Sequence, residues 1–318
     1  MLVSVLLIGV GFTSLIFGAN WLVDGSSALA RKFNVSDLVI GLTIVALGTS
    51  APELVVSTIA STNGHHDIVL GNVLGSNNFN LFIILGLSGL VYPIAIQSST
   101  AWKEIPISLA AAAILMLFIN DFAFSGNTFL SRWEGSVLLI LFLVFMYYIF
   151  TQTKQEVQDI SAEKNLSPGK IWVYIIAGLG GLILGGHLVV ANSVIVASTL
   201  GVSDKIIGLT IVAAGTSLPE LVTSITAATK GKSDIVVGNV VGSNIFNILL
   251  ILALSSIVNP IAYNTKFNLD LAILLGGTLF LILAMLTGKK LKLDRWEAGV
   301  LVSCYLAYTF YLVVAEAS

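Results

Sequence analysis

Two glutamates stand in this chain where an apolar run has least use for them. The hexapeptide GTSAPE, Gly48 to Glu53, interrupts one long apolar stretch, and GTSLPE, Gly215 to Glu220, interrupts another 167 positions later. Gly and Pro loosen the hydrogen-bond ladder of a helix. Thr and Ser bring oxygen atoms, and a carboxylate inside an apolar helix is costly unless it is paired or hydrated. A second polar block, GNVLGSNNFN from Gly71 to Asn80, recurs as GNVVGSNIFN from Gly238 to Asn247.

Residues four apart on a helix share a face. That spacing puts Thr49, Glu53 and Ser57 on one stripe and Thr216, Glu220 and Ser224 on its counterpart. Asn72, Ser76 and Asn80 form a third stripe, and Asn239, Ser243 and Asn247 a fourth. Together they offer carboxylate, amide and hydroxyl oxygens with no Cys or His. Hard cations such as Ca²⁺ and Na⁺ take such ligands, whereas zinc and copper favour nitrogen or sulfur. Where Gly and Pro open the helices, backbone carbonyls are expected to join in, those of Ala46 and Ala213 first. The two glutamates carry a charge of −2, which one divalent cation, two monovalent cations or two protons would neutralise. Plainer roles stand beside these: kinking for Gly and Pro, close packing for the glycines, helix capping for Asn72 and Asn239.

The elements that must position these residues follow from composition and repetition. The chain has 318 residues, 56% of them hydrophobic and only 10% charged, against about 25% charged in soluble proteins. The net charge of −2 and the lack of a basic patch give no sign of nucleic acid. The single cysteine, Cys304, excludes an intrachain disulfide and is expected to fill the core. Aligned without a gap, residues 39–94 and 206–261 share 36 identities over 56 positions. Duplication of this quality points to repeat architecture.

Ten apolar spans fit: 3–24, 38–62, 67–90, 103–119, 133–150, 171–196, 205–229, 234–257, 268–287 and 296–314. The expected fold is an all-α membrane protein of ten transmembrane helices. It divides into a first five-helix repeat, 1–150, a polar linker, 151–170, and a second repeat, 171–318. Five spans is an odd number, so the halves cross the membrane in opposite senses as inverted repeats. Loops on one side hold 12 Lys and Arg residues and those on the other 3. The positive-inside rule then places both termini outside and the linker in the cytoplasm.

The paired GTS-x-PE and GN-x-x-GSN-x-FN blocks resemble the α-repeats of the calcium/cation antiporter superfamily, prokaryotic sodium/calcium exchangers in particular. The resemblance covers all ten expected spans. It implies alternating access around a central four-helix cluster, with Ca²⁺ and Na⁺ as transported substrates and no cofactor. By the same resemblance, Glu53 and Glu220 are central Ca²⁺ ligands shared with Na⁺, and Thr49 and Thr216 complete the Ca²⁺ site. Ala46, Ser50, Ser76, Ala213, Ser217 and Ser243 serve flanking Na⁺ sites, while Asn80 and Asn247 orient the carboxylates or a water. Some relatives carry Asp where this chain has Asn247, which argues against a potassium-dependent subtype.

The expected function is therefore Ca²⁺ extrusion driven by the Na⁺ gradient in a cell membrane. A Ca²⁺/H⁺ exchanger is the nearest alternative and a cation channel a more distant one. The duplication closes a site within one chain, so a monomer is expected to suffice, in contact with membrane lipid. An enzyme is not expected, because the spans hold no nucleophile–base pair and no His cluster.

Overall fold

The computed structural model describes residues 1–98, 100–120, 129–151, 166–200, 213–286 and 291–317. Most of the expected linker, 152–165, lies outside the described residues, as does 201–212, which includes the first residues of the expected seventh span, 205–229. Helix α1 covers Leu2–Phe33, longer than its apolar run, and ends where Asn34 turns left-handed at φ 51°. A bent pair follows, α2 at Asp37–Thr49 and α3 at Ala51–Thr62, then α4 at His66–Val91, α5 at Thr100–Ile119 and α6 at Arg132–Thr151. Helix α7, Pro168–Thr199, takes in the last three residues of the expected linker, with proline in its first turn where a missing N–H costs nothing. After a short helical turn at Ala213–Gly215 come α8 at Leu218–Thr229, α9 at Ser233–Val258, α10 at Thr265–Ala284 and α11 at Arg295–Ala317.

Among the described residues, seven helices are long and apolar enough to cross a membrane, or eight with the bent pair taken as one span. These make the chain a multi-pass membrane protein. Burial ranks them. The most apolar window of α9 is 94% buried and that of α4 67%, against 28–39% for the other five. The two helices that carry the GN-x-x-GSN blocks are thus the centre of the bundle. Side chains such as Trp133 and Tyr147 on α6 and Ile176 on α7 point outward. Cys304 lies on the exposed face of α11, contrary to the expected core position.

The fold is not wholly helical. Residues 92 and 259 precede Pro93 and Pro260, which drives both into extended backbone at φ −142° and −145°. Extended backbone needs partners, and it finds them across the molecule. Strand β1, Ile94–Ala95, pairs with β4, Lys292–Leu293, and β2, Phe129–Leu130, pairs with β3, Ile261–Ala262. Position 94 corresponds to 261 in the repeat, and 129–130 to 292–293. The two ribbons are therefore the same contact with the halves exchanged, as a two-fold relation requires.

Packing between α1 and α7 depends on glycine. A Cβ on Gly18 would meet the Gly178 carbonyl oxygen at 2.8 Å and the Leu182 nitrogen at 2.9 Å. Ser14 adds a hydrogen bond to the Gly181 carbonyl at 2.7 Å. Backbone cannot yield as a side chain tip can, so Gly18→Val is expected to force the pair apart and cost about 1–3 kcal/mol. Thermal unfolding in detergent should show a lowered Tm for Gly18→Val. Gly9→Val, whose Cβ meets nothing within 4 Å, should match the wild type.

Candidate functional site

Each glutamate sits just past a break in its helix. Ser50 takes φ −80° and ψ 6° and Ser217 φ −88° and ψ 8°, outside the helical region, and α2 and α3 meet at 47°. Pro52 and Pro219 occupy the first turn after the break, where proline starts a helix well. This arrangement aims two helix starts, Glu53 on α3 and Glu220 on α8, into the centre. Both carboxylates are only 1% exposed.

The halves then exchange hydrogen bonds. Ser50 Oγ donates to Glu220 Oε1 at 3.0 Å, and Ser217 Oγ donates to Glu53 Oε1 at 3.2 Å. Ser76 Oγ also reaches Glu53 Oε1 at 3.4 Å. Ser50 lies 2.9 Å from Ser243 Oγ, and Ser217 3.1 Å from Ser76 Oγ. Every serine of the expected set, together with both glutamates, is in this one cluster.

Asn72 and Asn239 clamp the breaks and are not helix caps. Asn72 Nδ2 donates to the Glu53 carbonyl at 3.2 Å and to Ser57 Oγ at 2.9 Å. Asn239 Nδ2 does the same to the Glu220 carbonyl at 3.3 Å and Ser224 Oγ at 2.9 Å. Their Oδ1 atoms accept from the opposite half: Thr49 Oγ1 donates to Asn239 at 3.1 Å and Thr216 Oγ1 to Asn72 at 3.4 Å. The two sides differ in exposure. Thr49 and Asn239 are fully buried, whereas Thr216 and Asn72 are half-buried.

Two expectations need correction. The break does not free the Ala46 carbonyl, which accepts from the Ser50 amide at 3.0 Å because the helix keeps that last bond before bending. Ala213 opens the described turn Ala213–Gly215. Asn80 and Asn247 use their amide hydrogens not on the carboxylates but on Asn244 Oδ1 at 3.1 Å and Asn77 Oδ1 at 2.9 Å. Asn77 and Asn244, the last residues of the GSN triplets, are central residues that a four-residue stripe passes over. The repetition of the triplet in both halves was the signal for them. Both helices carry a wider π turn here, at Phe79–Ile84 and Asn247–Leu252, a feature common at functional sites.

Four buried side-chain oxygens in this cluster have no hydrogen-bond partner among the described residues: Oε2 of Glu53 and Glu220, and Oδ1 of Asn80 and Asn247. They form two pairs related by the repeat. Other polar residues stay out of it. Asp24 pairs with Lys230 at 2.5 Å, and His65 and His66 line a surface pocket with Tyr263 and Asn264. No group of three or more His, Cys, Asp or Glu side chains able to hold a metal occurs among the described residues.

Comparison with known proteins identifies the family. The family model for the sodium/calcium exchanger protein matches residues 3–151 and 170–314. A candidate antiporter of Alkalimonas amylolytica, CaxA, is 38% identical over 323 residues, covering 98% of this chain and 99% of that one. The sodium/calcium exchanger MaX1 of Methanosarcina acetivorans is 30% identical over 347 residues, 98% of each chain. Among solved structures, the sodium–calcium exchanger NCX_Mj, soaked with 10 mM Na⁺ and zero Ca²⁺, superposes with a TM-score of 0.84 at 34% identity, covering 100% of this chain and 99% of that one. With its motifs, its buried oxygen cluster and its full-length relatives in agreement, this chain belongs to the sodium/calcium exchanger family of membrane cation antiporters.

Proposed function

We propose that the protein exchanges Na⁺ for Ca²⁺ by alternating access, with the inward Na⁺ gradient driving Ca²⁺ out. The observation that carries this reading is the set of four unpartnered buried oxygens on Glu53, Glu220, Asn80 and Asn247. A buried acceptor without a donor is expensive, and a cation that takes oxygen ligands relieves all four at once. Thr49 and Thr216 complete the Ca²⁺ site: the one hydrogen of Thr49 Oγ1 goes to the Val45 carbonyl at 3.0 Å or to Asn239 Oδ1 at 3.1 Å, that of Thr216 faces Asn72 Oδ1 at 3.4 Å, and each hydroxyl keeps its lone pairs for the ion. Ser50, Ser76, Ser217 and Ser243 serve flanking Na⁺ sites with the carbonyls of Ala46 and Ala213. The Ala46 carbonyl does so with its second lone pair. The exchangers named above support the choice of ions, NCX_Mj having been soaked with Na⁺, Ca²⁺ and Sr²⁺.

In this reading ten spans form two inverted five-helix repeats, 1–150 and 171–318, joined by a cytoplasmic linker at 151–170 with both termini outside. The reciprocal ribbons and serine–glutamate bonds support it, and so does the distribution of Lys and Arg. Asn72 then lies towards the outer end of α4 and Asn239 towards the inner end of α9. The half-buried side of the cluster is the outer one, as in a carrier loading from outside. α1 and α7, which pack on each other and outside the central helices, are the moving pair.

The decisive flux measurement uses proteoliposomes loaded with Na⁺ and diluted into Na⁺-free buffer containing ⁴⁵Ca²⁺, with pH equal on both sides. Uptake that requires internal Na⁺ is the expected result. Uptake driven only by an acidic interior would replace the reading with Ca²⁺/H⁺ exchange, and uptake indifferent to both gradients would make the protein a channel. Glu53→Gln and Glu220→Gln keep shape and remove charge, and each should abolish Ca²⁺ flux while the protein elutes as a folded species. In a Cys304→Ser background, a membrane-impermeant thiol reagent added outside should label Asn72→Cys and spare Asn239→Cys. Equal labelling of both would refute the outward-open assignment.

A further inference from the structure

We infer that Asn77 and Asn244 set the amide orientation of Asn247 and Asn80, so that carbonyl oxygens, not amide hydrogens, face the cation. This rests on the exchange reading above and adds two positioning residues to it. The argument starts at two backbone atoms that can only accept. Asn77 Nδ2 donates to the Asn244 carbonyl oxygen at 3.3 Å, and Asn244 Nδ2 donates to the Asn77 carbonyl oxygen at 3.3 Å. A backbone carbonyl has no hydrogen to give, so each of these side chains must turn its NH₂ towards it. The Oδ1 of each then points the other way.

That choice propagates. Asn77 Oδ1 receives Asn247 Nδ2 at 2.9 Å, and Asn244 Oδ1 receives Asn80 Nδ2 at 3.1 Å. An oxygen likewise can only accept, so Asn247 and Asn80 must each present NH₂ to this contact. What remains on the far side of each amide is Oδ1, and both of those atoms are buried without a partner among the described residues. Asn80 shares a helix face with Ser76, which bonds Glu53 Oε1 at 3.4 Å. Asn77 and Asn244 thus form a reciprocal two-fold pair, and Asn247 and Asn80 are each held by one member of it. All four are at most 3% exposed, so water does not compete for these bonds.

An amide is nearly symmetric in shape, and its oxygen and nitrogen ends interchange by a 180° turn. One end attracts a cation and the other repels it. A carboxylate has no such wrong end. Asn77→Leu removes the acceptor that holds Asn247, which can then turn NH₂ inward. The expected effect is a rise in the KM for Ca²⁺ of about tenfold or more, since hydrogen bonds and contacts to charged groups carry that much discrimination.

The test is a double-mutant cycle on Ca²⁺ flux in proteoliposomes with the cycle partner Asn247→Asp. In that background Asn77→Leu should change KM by less than about threefold, because either carboxylate oxygen serves the ion. Equal losses in both backgrounds would show general damage and overturn the inference. Asn77→Gln, which keeps an amide hydrogen for the Asn244 carbonyl and an acceptor before Asn247 without adding charge, should recover most of the loss seen in Asn77→Leu. If Asn77→Leu does not fold, this variant decides: a loss of about tenfold in Asn77→Gln overturns the inference. The Ca²⁺-induced rise in Tm gives a second readout. It should shrink in Asn77→Leu, whereas a purely structural role would lower the ion-free Tm and leave the rise intact. Wild-type protein that moves no Ca²⁺ would defeat the exchange reading itself, while wild-type KM in Asn77→Leu would defeat only this step.

Discussion

Two carboxylates buried within a membrane bundle are the constraint that the rest of the structure serves. Moving an ion of this kind out of water costs several kcal/mol even after the protein relaxes, and here two of the same sign sit in one cluster. An all-helical backbone has no donors to spare for them, because its N–H groups are committed to the ladder. Breaking the helices at Ser50 and Ser217 changes that. Each break brings a serine hydroxyl within hydrogen-bond reach of the carboxylate of the other half. The break in turn needs support, which Asn72 and Asn239 supply by holding the Glu53 and Glu220 carbonyls. The same logic reaches the outer shell: α4 and α9 can be polar because they are the two most buried helices among those that span.

Reciprocity makes this economical. Nearly every contact at the centre occurs twice with the halves exchanged, so one locally consistent sequence block solves both sides. It also means that neither half is complete alone, since Glu53 is served by Ser217 and Glu220 by Ser50. The symmetry fails where function would need it to fail. Thr216 and Asn72 are half-buried while their counterparts Thr49 and Asn239 are sealed. A two-fold site with one accessible side is the form an alternating carrier takes when the second conformation is the first with the roles of the halves swapped.

Much of this was legible in the residues. The identities between 39–94 and 206–261 gave the duplication, and Gly, Pro and Glu in an apolar run marked both breaks and both carboxylates. Stripes of four-residue spacing found Ser76, Ser243, Asn80 and Asn247. The same rule hid Asn77 and Asn244, whose role depends on meeting another helix and not on sharing a face of their own. The two ribbons were equally invisible, because two-residue strands have no periodicity, although Pro93 and Pro260 already announced extended backbone before them. Cys304 misled for a different reason. In a membrane the outer surface is apolar too, so a small apolar residue carries no information about which way it points.

The charge of the cluster bears directly on why such a protein exchanges ions and does not simply conduct them. With both glutamates ionised and no cation bound, a conformational change would have to carry two negative charges through a closed, low-dielectric state. The serine contacts lower that cost but leave Oε2 of both carboxylates without a donor among the described residues. A site that changes sides only when its charge is neutralised must arrive loaded and return loaded. In the proposed cycle, Ca²⁺ travels one way and Na⁺ the other for that reason. Coupling then follows from desolvation alone, and an amide at position 247 keeps the fixed charge at the value one divalent ion can cancel.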